Sequence, residues 1–284
     1  MNISVDGVSI FVGQGGMPWK ADQRTLVLQH GAGMDRTVWV LLARYFARHG
    51  FNVVAADLPG HGASKGEALE SIQAQAEYLW RLLDVLQASH ELPDAQVILG
   101  GHSMGSLMVL DAASQQADRV EQLILFGAGY PMPVGAPLLD AAQANSQTAV
   151  DMIAIFSHSY GSQLGHNHMA GISVQNMAMA LLERAAPGVL YTDLKACNDY
   201  QGGEAAAQAV KGKPCTLIVG RNDRMTPVRA AGKLAGILQA QLTMIDKCGH
   251  MMMSEQPEAT LQAARQCLLP GSGNLMQSSQ NRAD

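Results

Sequence analysis

The sequence predicts an α/β protein, a mostly parallel central sheet flanked by helices, with a helical segment inserted late in the chain. Three observations predict it. Short apolar runs of strand length alternate with longer segments of helical spacing, the pattern of a parallel sheet covered on both faces. The alternation stops at Tyr130 and resumes near Gly203, with only helical patterns between. One apolar run, Val97-Ile98-Leu99-Gly100, turns hard through Gly101-His102-Ser103-Met104-Gly105 and continues as a helix-like run from Leu107 to Ala113.

Taken in order, Ile3 to Val12 alternates around Asp6-Gly7, which predicts a hairpin. Thr25 to Gln29 reads as a strand ending in His30-Gly31-Ala32-Gly33, and Thr37 to His49 as a helix stopped by Gly50. Val53 to Ala56 is a strand that leads into Asp57-Leu58-Pro59-Gly60-His61-Gly62. Glu70 to Ser89 is an amphipathic helix, and Val120 to Phe126 a strand ending at Gly127. In the insertion, Leu138 to Phe156 and Val174 to Ala186 are helical in pattern. The sheet pattern returns with Cys215 to Val219 and its exit loop Gly220-Arg221-Asn222-Asp223. Thr226-Pro227 then opens a helix, with a capping hydroxyl followed by proline at the first helical position. Gln241 to Asp246 is the last strand, Cys248-Gly249-His250 follows it, and Ser254 to Leu269 is the last helix. The expected organisation is a core in two parts, 1–129 and 204–269, a helical cap at 130–203, and a polar tail at 270–284 expected to be disordered.

Composition narrows the function. With 284 residues and 48% apolar content the chain can bury a large core. A net charge of -5 with no lysine or arginine cluster gives no electrostatic support for a nucleic-acid or anionic-membrane partner. Cys197, Cys215, Cys248 and Cys267 show no C-x-x-C spacing, so reduced thiols are expected rather than a disulfide frame or a zinc site. No signal peptide or span-length apolar run is evident, and a cytoplasmic enzyme acting on a small molecule is the expectation. His166-Asn167-His168 has no acidic or cysteine ligand nearby, so no metal is expected there.

The turn at Ser103 matches G-x-S-x-G, the nucleophile elbow. A serine held on a tight strand-to-helix turn is strained, and side chains two residues to either side would clash, which Gly101 and Gly105 avoid. Free serine holds its proton too tightly to attack a carbonyl near neutral pH. It needs a base, for which histidine is suited, and that imidazole needs a buried carboxylate to fix its tautomer. Ser103, Asp223 and His250 each leave the C-terminal end of a predicted strand, where ligands bind in open α/β sheets. Asp223 has a plainer reading, as a loop carboxylate capping the Thr226 helix. Asp57 also leaves a strand, but its Pro-Gly surroundings favour a turn role. His30, His61 and His102 read as hydrogen-bonded scaffold.

On these segments, with Gly249-His250 and Glu255-Gln256-Pro257 behind them, the chain resembles the α/β-hydrolase family over nearly everything outside 130–203. The resemblance implies the α/β-hydrolase fold with a cap and no cofactor. It implies an oxyanion hole from the N–H of Met104 and the N–H of Ala32. Because the chain carries His30-Gly31-Ala32-Gly33 in place of a run of three glycines, Gly33 is the alternative second donor. The expected function is a serine hydrolase that cleaves a small neutral carboxylic ester or lactone through an acyl-enzyme. The alternatives are a carbon–carbon hydrolase or cofactor-free perhydrolase with the same triad, and a non-catalytic binding protein on this fold. Serine at the nucleophile position argues against the dehalogenase and epoxide-hydrolase branches, which use aspartate there. In the insertion, Leu138, Leu139, Ile153, Ile155, Phe156, Met169, Ile172, Met177, Met179, Leu181 and Leu182 exceed what two helices need for packing, so several are expected to line a pocket. Most of Asp140, Asp151, Glu183, Arg184, Asp193, Lys195 and Asp199 are expected on solvated faces.

Overall fold

The computed structural model describes residues 1–89, 92–93, 95–166 and 171–269; the tail from 270, Asn167, His168 and Met169 lie outside the described residues. β1 (Asn2–Val5) and β2 (Val8–Gly13) form the predicted hairpin. Its two-residue turn needs consecutive positive φ angles, which Asp6 (50°) and Gly7 (80°) supply. β3 (Arg24–Gln29), α1 (Val40–Arg48), β4 (Phe51–Ala56) and α2 (Ile72–Ala88) follow. The helix predicted from Thr37 starts as a 3-10 turn, Arg36–Trp39, capped by Asp35, whose carboxylate accepts the Thr37 N–H at 2.8 Å. Next come β5 (Val97–His102), α3 (Met104–Gln115) and β6 (Val120–Phe126).

The insertion holds α4 (Ala136–Gln143), α5 (Gln147–Ser157), α6 (Tyr160–Gln163), α7 (Val174–Leu182), α8 (Val189–Asp199) and α9 (Gly203–Ala209). The single helix expected over 138–156 is broken at Asn145, which sits at φ 49°, and Ser146 caps a new start by accepting the Thr148 N–H. Apolar spacing runs across the break, so periodicity alone could not reveal it. α6, α8 and α9 have no counterpart in the sequence reading. The core resumes with β7 (Cys215–Gly220), α10 (Val228–Leu238), β8 (Gln241–Ile245), α11 (Met252–Glu255) and α12 (Pro257–Leu268). The last helix therefore starts at Pro257, three residues later than expected.

The sheet order is β1-β2-β4-β3-β5-β6-β7-β8, antiparallel at the β1–β2 and β2–β4 pairs and parallel elsewhere. Strand alternation divides the core. Val27, Val54, Leu99, Leu123 and Leu217 face α2, α3 and α10, while Leu28, Val53, Ile98, Ile124 and Ile218 face α1 and α12. Each such side chain contributes roughly 1.5–3 kcal/mol on burial. An exposed ion pair such as Arg24–Glu121 contributes about 1 kcal/mol or less. The two apolar faces therefore hold the layers together. From β3 the chain crosses to β4 on one side and returns to β5 on the other, so the loops after β3 and β5 part and leave a crevice between them. Among the described residues no helix is long and apolar enough to cross a membrane.

Candidate active site

Ser103 is the one residue between β5 and α3, and its backbone sits at φ 54°, ψ −117°. That conformation costs a non-glycine residue on the order of 1–3 kcal/mol. It is held by the Ser103 N–H donating to Phe126 O (2.9 Å) and by the two glycines. A Cβ on Gly101 would lie 2.1 Å from Gly105 O, and one on Gly105 would lie 2.4 Å from Gln29 O. The elbow is thus pressed into β3, beyond the local turn that the motif describes. Met104 opens α3, so its N–H has no partner within the helix. A Cβ on Gly31 would stand 3.2 Å from Ser103 Cβ, which puts the loop after β3 beside the serine. Among the described residues neither the Ala32 nor the Met104 N–H meets a protein acceptor. The Gly33 N–H, in contrast, donates to Asp193 Oδ2 at 2.8 Å.

His250 and Asp223 come together from the loops after β8 and β7. His250 Nδ1 lies 2.8 Å from Asp223 Oδ2, and both side chains are almost fully buried. Asp223 Oδ1 accepts the N–H groups of Met225 and Thr226, each at 2.8 Å. These N–H groups precede α10, which starts at Val228, so Asp223 closes the turn before the helix with one oxygen and meets His250 with the other, and it does not cap the helix. Burial pushes the Asp223 carboxyl up, but the His250 ring and the Thr226 donors outweigh it and leave it below the usual carboxylate range. Thr226 does not cap the helix with its hydroxyl as expected. Pro227 is the cap residue, and Thr226 Oγ1 lies 2.7 Å from Asp223 Oδ2 and 2.9 Å from Gly127 O. Gly127, at φ 53°, leaves room for the His250 ring, since a Cβ there would come within 3.1 Å of it. His250 Nε2 is buried and has no partner among the described residues.

The backbone at His250 is tied to the insertion. Ser157 O, at the end of α5, accepts the N–H of His250 (2.7 Å) and of Met251 (3.1 Å). Glu255, fully buried, accepts the Gly249 N–H on one oxygen and the Ser159 N–H on the other, both at 2.9 Å. His102 packs its ring 4.6 Å from the His250 ring and donates from Nε2 to His250 O. Burial, then the neighbouring His250, push His102 down to about 3, so it is a neutral support. Asp57 accepts from Arg36 N and Ala63 N and pairs with the Arg36 guanidinium, which is the turn role the sequence predicts. All four cysteines are free of disulfides. Among the described residues no three His, Cys, Asp or Glu side chains cluster as metal ligands.

Ala32, Ser103, Thr226 and His250 line one cavity of about 230 Å³. From the insertion, Leu138, Ile153 and Phe156 line it as expected, joined by Met132, Val134, Met152, Leu194 and Cys197, which the sequence reading did not include. Ile155, Ile172 and Met177 are exposed, while Leu181 and Leu182 pack inside the cap. Asp193, one of the charged residues of which most were expected on solvated faces, is fully buried, because α8 packs on α3 of the core as well as on α4. Sequence spacing carried no signal for Asp193, Thr226 or the bridging role of Glu255; each is defined by partners from distant segments.

The strand-to-helix serine and the buried histidine–carboxylate pair thus share one largely apolar cavity. Residues 26–263 match the alpha/beta hydrolase family, and the chain belongs to that family. It is an α/β-fold hydrolase. The pimeloyl-[acyl-carrier protein] methyl ester esterase of Aromatoleum aromaticum is 32% identical over 249 residues, 82% of this chain and 93% of that protein. A 2-hydroxy-6-oxononadienedioate/2-hydroxy-6-oxononatrienedioate hydrolase of Cupriavidus pinatubonensis is 28% identical over 84% of each chain. Among solved structures, the enol-lactonase of Burkholderia xenovorans superposes with a TM-score of 0.80 at 18% identity, covering 94% of this chain and 99% of that one. A thermophilic esterase from Thermogutta terrifontis gives 0.79 at 22%, covering 94% and 98%. At these identities the two structures establish a shared fold.

Proposed function

We propose that the protein is a serine hydrolase that cleaves a small, neutral carboxylic ester or lactone through an acyl-enzyme, with residues 130–203 as its cap. Ser103 Oγ attacks the carbonyl and gives its proton to His250 Nε2. His250 Nδ1–H donates to Asp223, which holds the tautomer and the charge that forms on the ring. The N–H groups of Met104 and Ala32 stabilise the oxyanion. His250 returns the proton to the leaving alcohol, and a water activated by the same ring then releases the acid. The observation that carries this reading is the positive-φ serine and the unpartnered His250 Nε2 on one apolar cavity. Donation of the Gly33 N–H to Asp193 supports Ala32 as the second donor.

Charge at the cavity supports a neutral acyl group. Arg184 and Lys195 lie outside the lining of that cavity and pair with Asp35 and Asp199. Arg224 lines the cavity, but its guanidinium is turned onto the carbonyls of Ile155 and His158 at the end of α5 and lies over the Phe156 ring. The relatives named as a methyl ester esterase and an enol-lactonase accord with ester and lactone chemistry. Likeness to the oxononadienedioate hydrolase favours one second reading, hydrolysis of a carbon–carbon bond in a diketone by the same three residues. A fluorophosphonate probe tests both: the folded protein takes up one label, on Ser103, and Ser103→Ala takes up none. Labelling at another residue, or no labelling of folded protein, overturns the two readings together. Assay of nitrophenyl esters beside a diketone then separates them.

A further inference from the structure

A second buried histidine–carboxylate pair stands outside the proposed triad. Asp193 reaches in from α8 of the insertion, and His61 lies on the loop after β4. Their side chains are 1% exposed or less, and His61 Nε2 is 2.8 Å from Asp193 Oδ2. His61 Nδ1 is 2.9 Å from Pro59 O. Both ring nitrogens thus face oxygens, a carbonyl and a carboxylate, and with that carboxylate ionised both are satisfied by a proton on each. His61 is therefore an imidazolium. Its neighbour His30, 4.9 Å away between ring centroids, is the neutral member. His30 Nε2 accepts the Leu58 N–H and its Nδ1 donates to Gly31 O.

The same Asp193 oxygen also accepts the Gly33 N–H at 2.8 Å. Gly33 sits at φ 66°, and a Cβ there would come within 2.8 Å of Leu190 on α8 and 3.2 Å of Leu182 on α7. The loop is therefore clamped from two ends: Gly31 lies against Ser103, and Gly33 against the insertion. Ala32 lies between the clamps. Asp193 Oδ1 is buried with no partner among the described residues, where this carboxylate's bonding is all on Oδ2.

We infer that Asp193, held by the His61 imidazolium, is a positioning residue for the oxyanion hole: it fixes Gly33 and so aims the Ala32 N–H, which makes turnover depend on α8 being seated. The inference rests on the proposed acyl-enzyme reading. With no acceptor at Gly33, the peptide planes on either side of Ala32 can rotate, and the donor is lost where charge develops in the transition state. Loss of the Gly33 anchor by itself leaves the cavity wall in place, whereas a variant that unseats α8 also moves Leu194 and Cys197 and raises KM.

The test uses Asp193→Ala and Asp193→Asn in the full chain, with a nitrophenyl ester and a trifluoromethyl ketone, whose adduct with serine carries an oxyanion. The expected result for Asp193→Ala is a fall in kcat on the order of a hundredfold, the scale of losing one oxyanion donor, with KM within about threefold. The affinity for the ketone falls in parallel with kcat. Asparagine keeps an acceptor for Gly33 and gives up the charge, so Asp193→Asn falls by about tenfold in both, between wild type and alanine. If the alanine variant does not fold, the asparagine variant carries the test by the same pattern. A folded variant that keeps both kcat and ketone affinity within about twofold overturns the inference, as does a fall in kcat that ketone affinity does not follow. A wild-type protein that neither turns over the ester nor binds the ketone overturns the parent reading, and this one with it.

Discussion

The molecule holds two histidine–carboxylate pairs of the same length, 2.8 Å, both buried, and they differ in where the second ring nitrogen goes. In the His250–Asp223 pair the other nitrogen, Nε2, has no partner among the described residues, and the residue lines the cavity. In the His61–Asp193 pair the other nitrogen is bonded to Pro59 O. A ring with a free nitrogen can take a proton from a bound molecule and return it; a ring bonded to oxygens at both ends has no nitrogen left to offer one, and its charged form is favoured. Distance and burial do not separate a proposed base from a scaffold ion pair. The complete set of hydrogen bonds does.

The contrast is broken most directly by removing each carboxylate. Asp223→Asn is expected to lower kcat on the order of a thousandfold or more, and His250→Ala at least as much, with folding intact by circular dichroism. Asp57→Asn leaves turnover per folded molecule within about threefold and shows its effect in Tm, because Asp57 organises a turn. If Asp57→Asn abolishes turnover in folded protein while Asp223→Asn preserves it, the carboxylate has been misassigned.

Substrate charge is expected to matter by about tenfold or less, because Arg224, the Lys or Arg side chain in the cavity lining, is turned onto the carbonyls of Ile155 and His158. In a series of nitrophenyl esters, neutral acyl groups outperform a hemisuccinate in kcat/KM. Preference for the hemisuccinate by more than tenfold refutes the apolar reading and redirects it to Arg224.

The smallest effect is on stability, and the two pairs act at opposite ends of the pH scale. Burial lowers the His61 pKa, but the Asp193 carboxylate, Pro59 O and the Asp57 charge more than offset it and raise it above the usual value. A raised cation stabilises the fold fully below the unfolded value, near 6.5, and its contribution is lost as pH rises through the higher folded value. His30, the other titratable neighbour, is pushed down to about 4 by burial and by His61, and stays silent there. Asp223, held below its usual value, contributes above about 3.9, and that contribution is lost as pH falls through the lower folded value. In thermal melts, the Tm advantage of wild type over His61→Gln therefore shrinks from pH 6 to 9. An advantage that grows over that range breaks the imidazolium assignment.

Local chemistry was legible in the sequence. The Asp6-Gly7 turn, the strands that are apolar on both faces, and the glycines around Ser103 follow from backbone sterics and side-chain period, which depend on near neighbours. The chain order Ser103, Asp223, His250 could be read because each residue follows a strand of one parallel sheet, whose loops gather at one end. Tertiary structure alone decided the rest. His61 meets Asp193 across 132 residues, Gly33 meets it across 160, and Ser159 meets Glu255 across 96. No spacing rule spans such separations. On a helix, Asp193 reads as a solvated acid until α8 packs on the core, because the energy of a buried charge depends on the partners the fold supplies.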